Sequence, residues 1–291
     1  MWIKKIFTNI KKDYNRNEIQ ILCCKKCSLV QVNPRKDETS IQKYYKKDYQ
    51  KKRKKPIKEI IANSISREEM RVQYLKGLSD LSKKNILDIG SSSGEFLRHI
   101  QLYTNEATGI EPDRNFAKLS ELNYGLNIFP GSLEEYTAIK GNKKFDVITI
   151  FNVIEHVHSP INFLNATHEL LHENGLLLLE FPEIFGLLKS VCFKKRFESI
   201  FSPHHLQYFS INTISKILNK SGFILAKKIR VRGKYMLVTA HLKKVSFERK
   251  KKINPFFLLI AMIYILKIKD YILNILNFNN YQNFPIKNEQ K

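Results

Sequence analysis

ILDIGSSSGEFLRHI, residues 86–100, decides the fold. Ile86, Leu87 and Ile89 make a short apolar run closed by Gly90, which reads as a buried strand. Gly90, Ser91, Ser92, Ser93 and Gly94 are turn formers, and EFLRHIQLY after them has the spacing of a helix. A strand entering a tight turn that opens a helix is the repeating unit of a parallel α/β sheet. In such sheets ligands bind outside the carboxyl ends of the strands, so the serine-rich turn is the first place to look for one.

The flanking sequence continues the alternation. NILDIG (85–90), EATGIE (106–111), LNIF (126–129), FDVITIF (145–151) and GLLLLEF (175–181) are apolar runs that predict strands. DRNFAKLSELN and PINFLNATHELLHEN predict helices between them, the second with Pro160 at its first helical position. Strands apolar on both faces indicate a sheet covered on both sides. INTISKILNKSG predicts a helix stopped by Gly222, and FILAKKIRV and KYMLVTAHLKK predict a hairpin that turns at Gly233. The expected fold is α/β: a doubly wound, mostly parallel seven-stranded sheet with an antiparallel end, over residues 64–244.

A chain of 291 residues holds such a core with room for one extra module. Residues 1–60 are poor in core material and end in the basic linker KYYKKDYQKKRKKPIK. The net charge of +23 points to a polyanion or an anionic membrane surface. The basic residues lack the aromatic interleaving and finger motifs of nucleic-acid binders, so nucleic acid is disfavoured. Cys23, Cys24, Cys27 and Cys192 make no disulfide framework, and the N-terminus lacks the apolar core of a secretion signal. The expected location is cytoplasmic.

Residues 245–291 begin basic (SFERKKK), become apolar (INPFFLLIAMIYIL) and finish polar. Residues 256–266 are unbroken apolar sequence, shorter than the roughly 20 residues that span a bilayer. Lys267, Asp270, Asn274 and Asn277 then recur at helical spacing. The pattern suits an amphipathic helix lying on an anionic membrane surface, at the inner face. Packing on the domain or on a second subunit is the alternative, and the sequence specifies no oligomeric state.

The turn itself excludes one large class of ligand. A dinucleotide loop reads G-x-G-x-x-G, so that the pyrophosphate meets backbone and helix N-terminus closely. Counted from Gly90, the second and third glycine positions hold Ser92 and Glu95, and a carboxylate there repels phosphate. The loop is wrong for NAD and better suited to a ligand without phosphates, preferably with a positive charge. Asp88 lies inside the first strand. Glu111 closes the second, about 20 residues after Gly90, where a carboxylate accepts hydrogen bonds from ribose hydroxyls. A structural bond from Asp88 to the loop, and a simple turn and helix cap at Glu111, Pro112 and Asp113, are the plain alternatives.

Three blocks in order, ILDIGSSSGEF, ATGIEPDRNFAKLS and FDVITIFNVIEHVHSP, followed by GLLLLEFPE, resemble the class I S-adenosylmethionine-dependent methyltransferases. The resemblance runs from about residue 85 to about residue 244, and departs at Ser92, where the family often has glycine. It implies that Gly90, Ser91, Ser92 and Gly94 wrap the methionine moiety of S-adenosylmethionine, with Asp88 supporting the loop or meeting the amino group. Glu111, followed by Pro112, holds the ribose hydroxyls; Ser132 and Leu133 lie along the adenine; Asn152 and Val153 border the sulfonium and the acceptor.

SPHHLQYFS resembles a P-x-H-x-x-x-F-S block of small-molecule members and places His205 at the active site as base or substrate orienter. A structural bond by His205 is the alternative, and His156 of EHVHSP is the second catalytic candidate. Some quinone-type relatives bind a divalent cation through this EH pair and an acidic residue three positions earlier. Here that position is Asn152, a weaker ligand for a hard cation, so no metal is expected.

The insertion FPEIFGLLKSVCFKKRFESIFSPHH reads as a cover over the acceptor. CCKKCSLVQVNPRKDETSIQKYYKKDY resembles the end of a zinc-ribbon segment that precedes this domain in sugar-modifying enzymes. Only Cys24 and Cys27 of its two knuckles are present, so zinc is not expected within one chain. The implied activity is methyl transfer to a small molecule: a sugar, a sugar nucleotide or a lipid-linked saccharide. Two rivals stand beside it: a nicotinamide-dependent sugar enzyme, and a non-catalytic membrane-associated scaffold with a degenerate cofactor fold.

Overall fold

The computed structural model describes residues 3–11, 18–43, 57–140, 142–191, 201–202, 204–243 and 262. Three strands come first, β1 (Ile3–Lys11), β2 (Glu18–Cys24) and β3 (Val30–Asn33), then two helices, α1 (Glu38–Lys43) and α2 (Ile57–Lys76). The alternation follows as β4 (Asn85–Ile89), α3 (Glu95–Ile100), β5 (Glu106–Ile110), α4 (Arg114–Tyr124), β6 (Asn127–Phe129), α5 (Leu133–Lys140), β7 (Phe145–Phe151), α6 (Pro160–Leu170) and β8 (Leu171–Pro182). The chain continues with α7 (Ile184–Val191), β9 (Gln207–Tyr208), α8 (Ile211–Lys220), β10 (Phe223–Val231) and β11 (Tyr235–Leu242).

Seven strands form the main sheet in the order β10-β11-β8-β7-β4-β5-β6. β6, β5, β4, β7 and β8 run parallel, and β11 lies antiparallel between β8 and β10. This is the doubly wound sheet with an antiparallel end that the sequence predicts. Its two faces are covered by separate apolar clusters, as a parallel sheet requires. Leu87, Ile148 and Leu179 face one cluster, while their neighbours Ile86, Val147 and Leu178 face the other. That alternation is the two-residue period of a strand read against two covered faces. β4 lies between β5 and β7, so the crossovers leave it in opposite directions and open a crevice at its carboxyl end.

Local signals set the element ends. The Asp113 side chain accepts from the N–H groups of Asn115 and Phe116 and caps α4; Ser159 caps α6 ahead of Pro160; Ser210 caps α8. Arg232 and Gly233 both have positive φ, 48° and 72°, as a tight turn between β10 and β11 demands. One boundary differs from expectation. The helix expected through residue 174 stops at Leu170, because Leu171 is extended, buried and paired with Phe145 of β7.

A second sheet, with the order β1-β2-β3-β9, has no counterpart in the periodicity of residues 1–60. β3 pairs antiparallel with β9, Val30 opposite Tyr208 and Gln31 opposite Gln207. Ile21, Cys23, Val30 and Val32 are thereby buried with Leu187 and Leu188 of α7 and with Tyr208. Met262, the described residue beyond 243, packs against the same cluster. The Cys24 and Cys27 thiols hydrogen-bond each other in the turn between β2 and β3. Burial pushes the neighbouring Cys23 thiol up to about 12. Among the described residues no third metal-ligating side chain joins Cys24 and Cys27.

Residues 44–56, residues 192–200 and 203 of the expected acceptor cover, and the expected membrane-surface helix of the tail apart from residue 262 lie outside the described residues. Among the described residues no helix is long and apolar enough to cross a membrane.

Candidate active site

A cleft of about 480 Å3 opens at the carboxyl ends of β4, β5 and β7. Asp88, Gly90, Ser91, Ser92, Glu111, Pro112, Ser132, Leu133 and Asn152, all singled out in the sequence, line it together. Gly94 does not. It caps α3 at φ +82°, where a Cβ would lie 2.5 Å from Leu126 Cδ1 and 2.9 Å from Ser120 Oγ, so it packs the loop against what lies behind it. Gly90 is equally confined: at φ +79°, a Cβ would fall 2.4 Å from Val153 Cγ2.

Ser92 takes the left-handed conformation at φ 52°, which costs a residue with a Cβ about 1–2 kcal/mol. That geometry aims its backbone N–H at Glu111 Oε2, at 2.7 Å. The other Glu111 oxygen accepts from the Asp113 N–H at 2.9 Å. Glu111 thus ties the loop after β4 to the turn after β5, while Asp113 serves as the helix cap. The N–H groups of Gly90 and Ser91 donate to the Ile110 carbonyl, and that of Gly94 to the Ser91 carbonyl. With these loop amides committed inside the protein, a pyrophosphate would meet few donors.

Asp88 is buried and accepts from Thr149 Oγ1 of β7 at 2.6 Å. Burial pushes its carboxyl up to about 7, and burial likewise pushes Glu111 up to about 7, with Asp113 and Asp88 adding to the rise. Glu155, buried after β7, is pushed up to about 8 by burial. Each of these groups holds its proton more tightly in the folded chain than in the unfolded one. Their contribution to stability is full below the ordinary carboxylate range and is lost as pH rises through about 7 to 8. His156 and His205 act oppositely, and only as pH falls below the ordinary histidine value. The ligand-free protein is therefore expected to melt at a lower temperature at pH 8.5 than at pH 6.5. Thermal scans across that range check this, and a flat or rising midpoint would contradict it.

The floor of the cleft holds charges that sequence reasoning missed. Arg71 of α2 is buried, with Nε and one terminal nitrogen on the two Glu180 oxygens at 3.1 and 2.6 Å. Its other terminal nitrogen meets Glu68 at 2.7 Å, and its guanidinium lies 4.0 Å from the Phe151 ring centroid. Asn152, at φ 57°, donates its backbone N–H to the Glu180 carbonyl and its side-chain amide to Glu180 Oε1 at 3.1 Å. A signal is present in GLLLLEF: an acid inside an apolar strand needs a buried partner.

The two histidines are adjacent but not equivalent. His156 lines the cleft; its Nδ1–H donates to the His204 carbonyl at 2.9 Å, which assigns the ring lone pair to Nε2. Burial lowers its pKa to about 4, so the ring is neutral at pH 7. His205 stands edge-on to it, ring centroids 4.8 Å apart, and is not among the residues lining the cleft. Burial, with His156 and His204 nearby, holds it well below the ordinary histidine value, and its Nδ1 is buried without a partner. Glu155, His156 and His205 bring possible ligand atoms within 4.8 Å of one another, so the third donor beside the EH pair is His205, while Asn152 turns to Glu180.

Comparisons with known proteins bear on this arrangement. A ubiquinone biosynthesis O-methyltransferase of Nitrosococcus oceani is 31% identical over 111 residues, 36% of this chain and 47% of the relative. A tRNA U34 carboxymethyltransferase of Idiomarina loihiensis is 30% identical over 113 residues, 35% of this chain and 34% of the relative. The matched stretch spans less than half the length of these curated relatives. The crystal structure of magnesium protoporphyrin IX methyltransferase from Synechocystis PCC 6803, with bound S-adenosylhomocysteine, superposes with a TM-score of 0.53 at 15% identity. That match covers 71% of this chain and 100% of the other, and it establishes a shared fold. Residues 64–228, more than half of the chain, match the family model described as a methyltransferase domain, and the chain belongs to this family of S-adenosylmethionine-dependent methyltransferases.

Proposed function

We propose that the protein transfers a methyl group from S-adenosylmethionine to a hydroxyl of a small-molecule acceptor. The observation that carries this is the Glu111 carboxylate, held at the mouth of β5 by the Ser92 and Asp113 amides on the wall of the cleft. The residues fit the cofactor on two further counts. Ser91 Oγ and Asn152 Oδ1 are buried polar atoms of the cleft wall without a protein partner. The loop amides that would bind a pyrophosphate are committed elsewhere, which suits a nucleoside without phosphates and disfavours a nicotinamide dinucleotide.

On this reading Asp88, Gly90, Ser91 and Ser92 hold the methionine end, Glu111 and Pro112 the ribose, and Ser132 and Leu133 the adenine, with Asn152 beside the sulfonium. When bound, S-adenosylmethionine supplies an electrophilic methyl group to the acceptor. The protein's share is alignment of the acceptor oxygen and removal of its proton. Proton removal falls to His156, whose Nδ1–H is fixed on the His204 carbonyl, which leaves the Nε2 lone pair to take the acceptor's proton. His205 orients the His156 ring from behind.

A saccharide acceptor is the finer reading. It rests on the resemblance of residues 23–49 to segments that precede this domain in sugar-modifying enzymes. The donors and acceptors of Arg67, His158 and Asn162 along the cleft also suit a polyhydroxyl molecule. A small-molecule or lipid-linked saccharide at the inner face of the membrane is the partner this implies.

Calorimetric titration with S-adenosylhomocysteine and, separately, with NADH tests the cofactor assignment. Saturable binding of the first and none of the second is expected; the reverse pattern would overturn the methyltransferase reading. Methyl transfer confined to non-sugar acceptors, across a panel of sugar nucleotides and phenols, would remove the saccharide assignment alone.

A further inference from the structure

The segment after β7 carries Asn152, His156 and His158 into the cleft, yet it has no regular structure of its own. Its carbonyl groups must be held from outside, because irregular backbone keeps a fixed shape only when its polar groups are bonded. The Leu206 N–H donates to the Glu155 carbonyl at 2.9 Å, and Gln207 Nε2 to the Val157 carbonyl at 2.9 Å. A guanidinium nitrogen of Arg35 donates to the His158 carbonyl at 3.1 Å. Residues 206 and 207 are in turn held by the second sheet: the Val32 N–H donates to the Leu206 carbonyl at 3.1 Å, and Gln31 pairs with Gln207. Ile41 of α1 stands in the cleft wall itself. Residues 30–41 lie ahead of the matched family domain, which starts at residue 64.

We propose that Arg35 is a positioning residue which, with the β3–β9 pairing, holds the His156–His158 segment against the acceptor end of the cleft. The N-terminal strands then belong to the catalytic apparatus rather than to a separate module. This rests on the reading of the cleft as a methyltransferase site, but the brace is observable without an acceptor. It acts on the acceptor side alone: the loop of residues 90–94 and Glu111 are held by bonds from Ile110, Asp113 and each other, none of which involves residues 30–41.

The test compares the full chain with Arg35→Ala and Arg35→Lys. In Arg35→Ala, amides of residues 155–159 are expected to exchange hydrogen about five- to tenfold faster, the opening expected from loss of one bond. The His156 ring, followed by NMR titration, should move from about 4 toward the ordinary histidine value as water reaches it. Exchange in residues 86–94 and affinity for S-adenosylhomocysteine should stay within twofold of the wild type. Arg35→Lys should restore both the exchange rate and the titration. Two results would overturn the proposal: unchanged exchange and titration in Arg35→Ala, or losses that spread equally to residues 86–94 and to S-adenosylhomocysteine binding. A wild type that fails to bind S-adenosylhomocysteine would sink the methyltransferase reading instead, and leaves the exchange result to be read on its own.

Discussion

Glu111→Ala is expected to weaken binding of S-adenosylhomocysteine by roughly a hundredfold or more. Two losses combine in this one change. The carboxylate proposed to meet the ribose hydroxyls disappears, and hydrogen bonds to a charged group contribute about 1.5–3 kcal/mol each. The Ser92 N–H also loses its acceptor, so nothing then offsets the left-handed backbone at that position. Loop and ribose contacts fail together. Stability should fall less than affinity, because a carboxyl that burial pushes up to about 7 is itself strained by its surroundings. Glu111→Gln keeps the shape but turns an amide N–H toward one of the two backbone donors, and should fall between. Calorimetry on the three proteins measures this. Binding within threefold of wild type in Glu111→Ala would remove Glu111 from the cofactor site.

Arg71→Leu should be the most destabilising single change in the cleft floor. It leaves Glu180 and Glu68, both buried, without their shared cation. Breaking a buried pair by removing one partner costs about 3–5 kcal/mol, far more than the pair adds over an apolar replacement. For a domain of this size that corresponds to a fall of roughly 6–20 °C in melting temperature. Arg71→Lys keeps the charge but cannot reach both carboxylates through a planar fork, so an intermediate loss is expected. Because Glu180 also receives the Asn152 side chain, the damage should reach the left-handed backbone at the end of β7. Calorimetric melting of both variants decides it; a shift under about 2 °C in Arg71→Leu would mean that the carboxylates find other partners.

The main sheet is legible in the sequence because its strands are buried on two faces and so are apolar without interruption. β7 begins and ends at the residues that FDVITIF marks. The place of Glu111 is legible because it depends on distance from the loop, and distance along the chain survives in a one-dimensional string. What escapes is whatever depends on partners far apart in the chain. β9 is two residues long and has no pattern to read; it is a strand only because β3 is beside it. Arg71 and Glu180 each look like an isolated charge until the fold joins them. The arrangement of His156 and His205 is hidden for the same reason. Which ring faces the cleft is set by the His204 carbonyl and the Leu206 backbone, not by the block of sequence around either histidine.

The pairing of β3 with β9 also fixes a timetable. β3 is made well before its partner past residue 200, and waits an interval on the order of ten seconds or more at ordinary synthesis rates. Through that interval the nascent β3 has an open edge, and open edges recruit other chains. Lys25 and Lys26, exposed in the turn after β2, place charge at one end of the waiting ribbon. Charge there discourages pairing with other chains until β9 arrives, so the order of synthesis bears on the same pairing that braces the cleft.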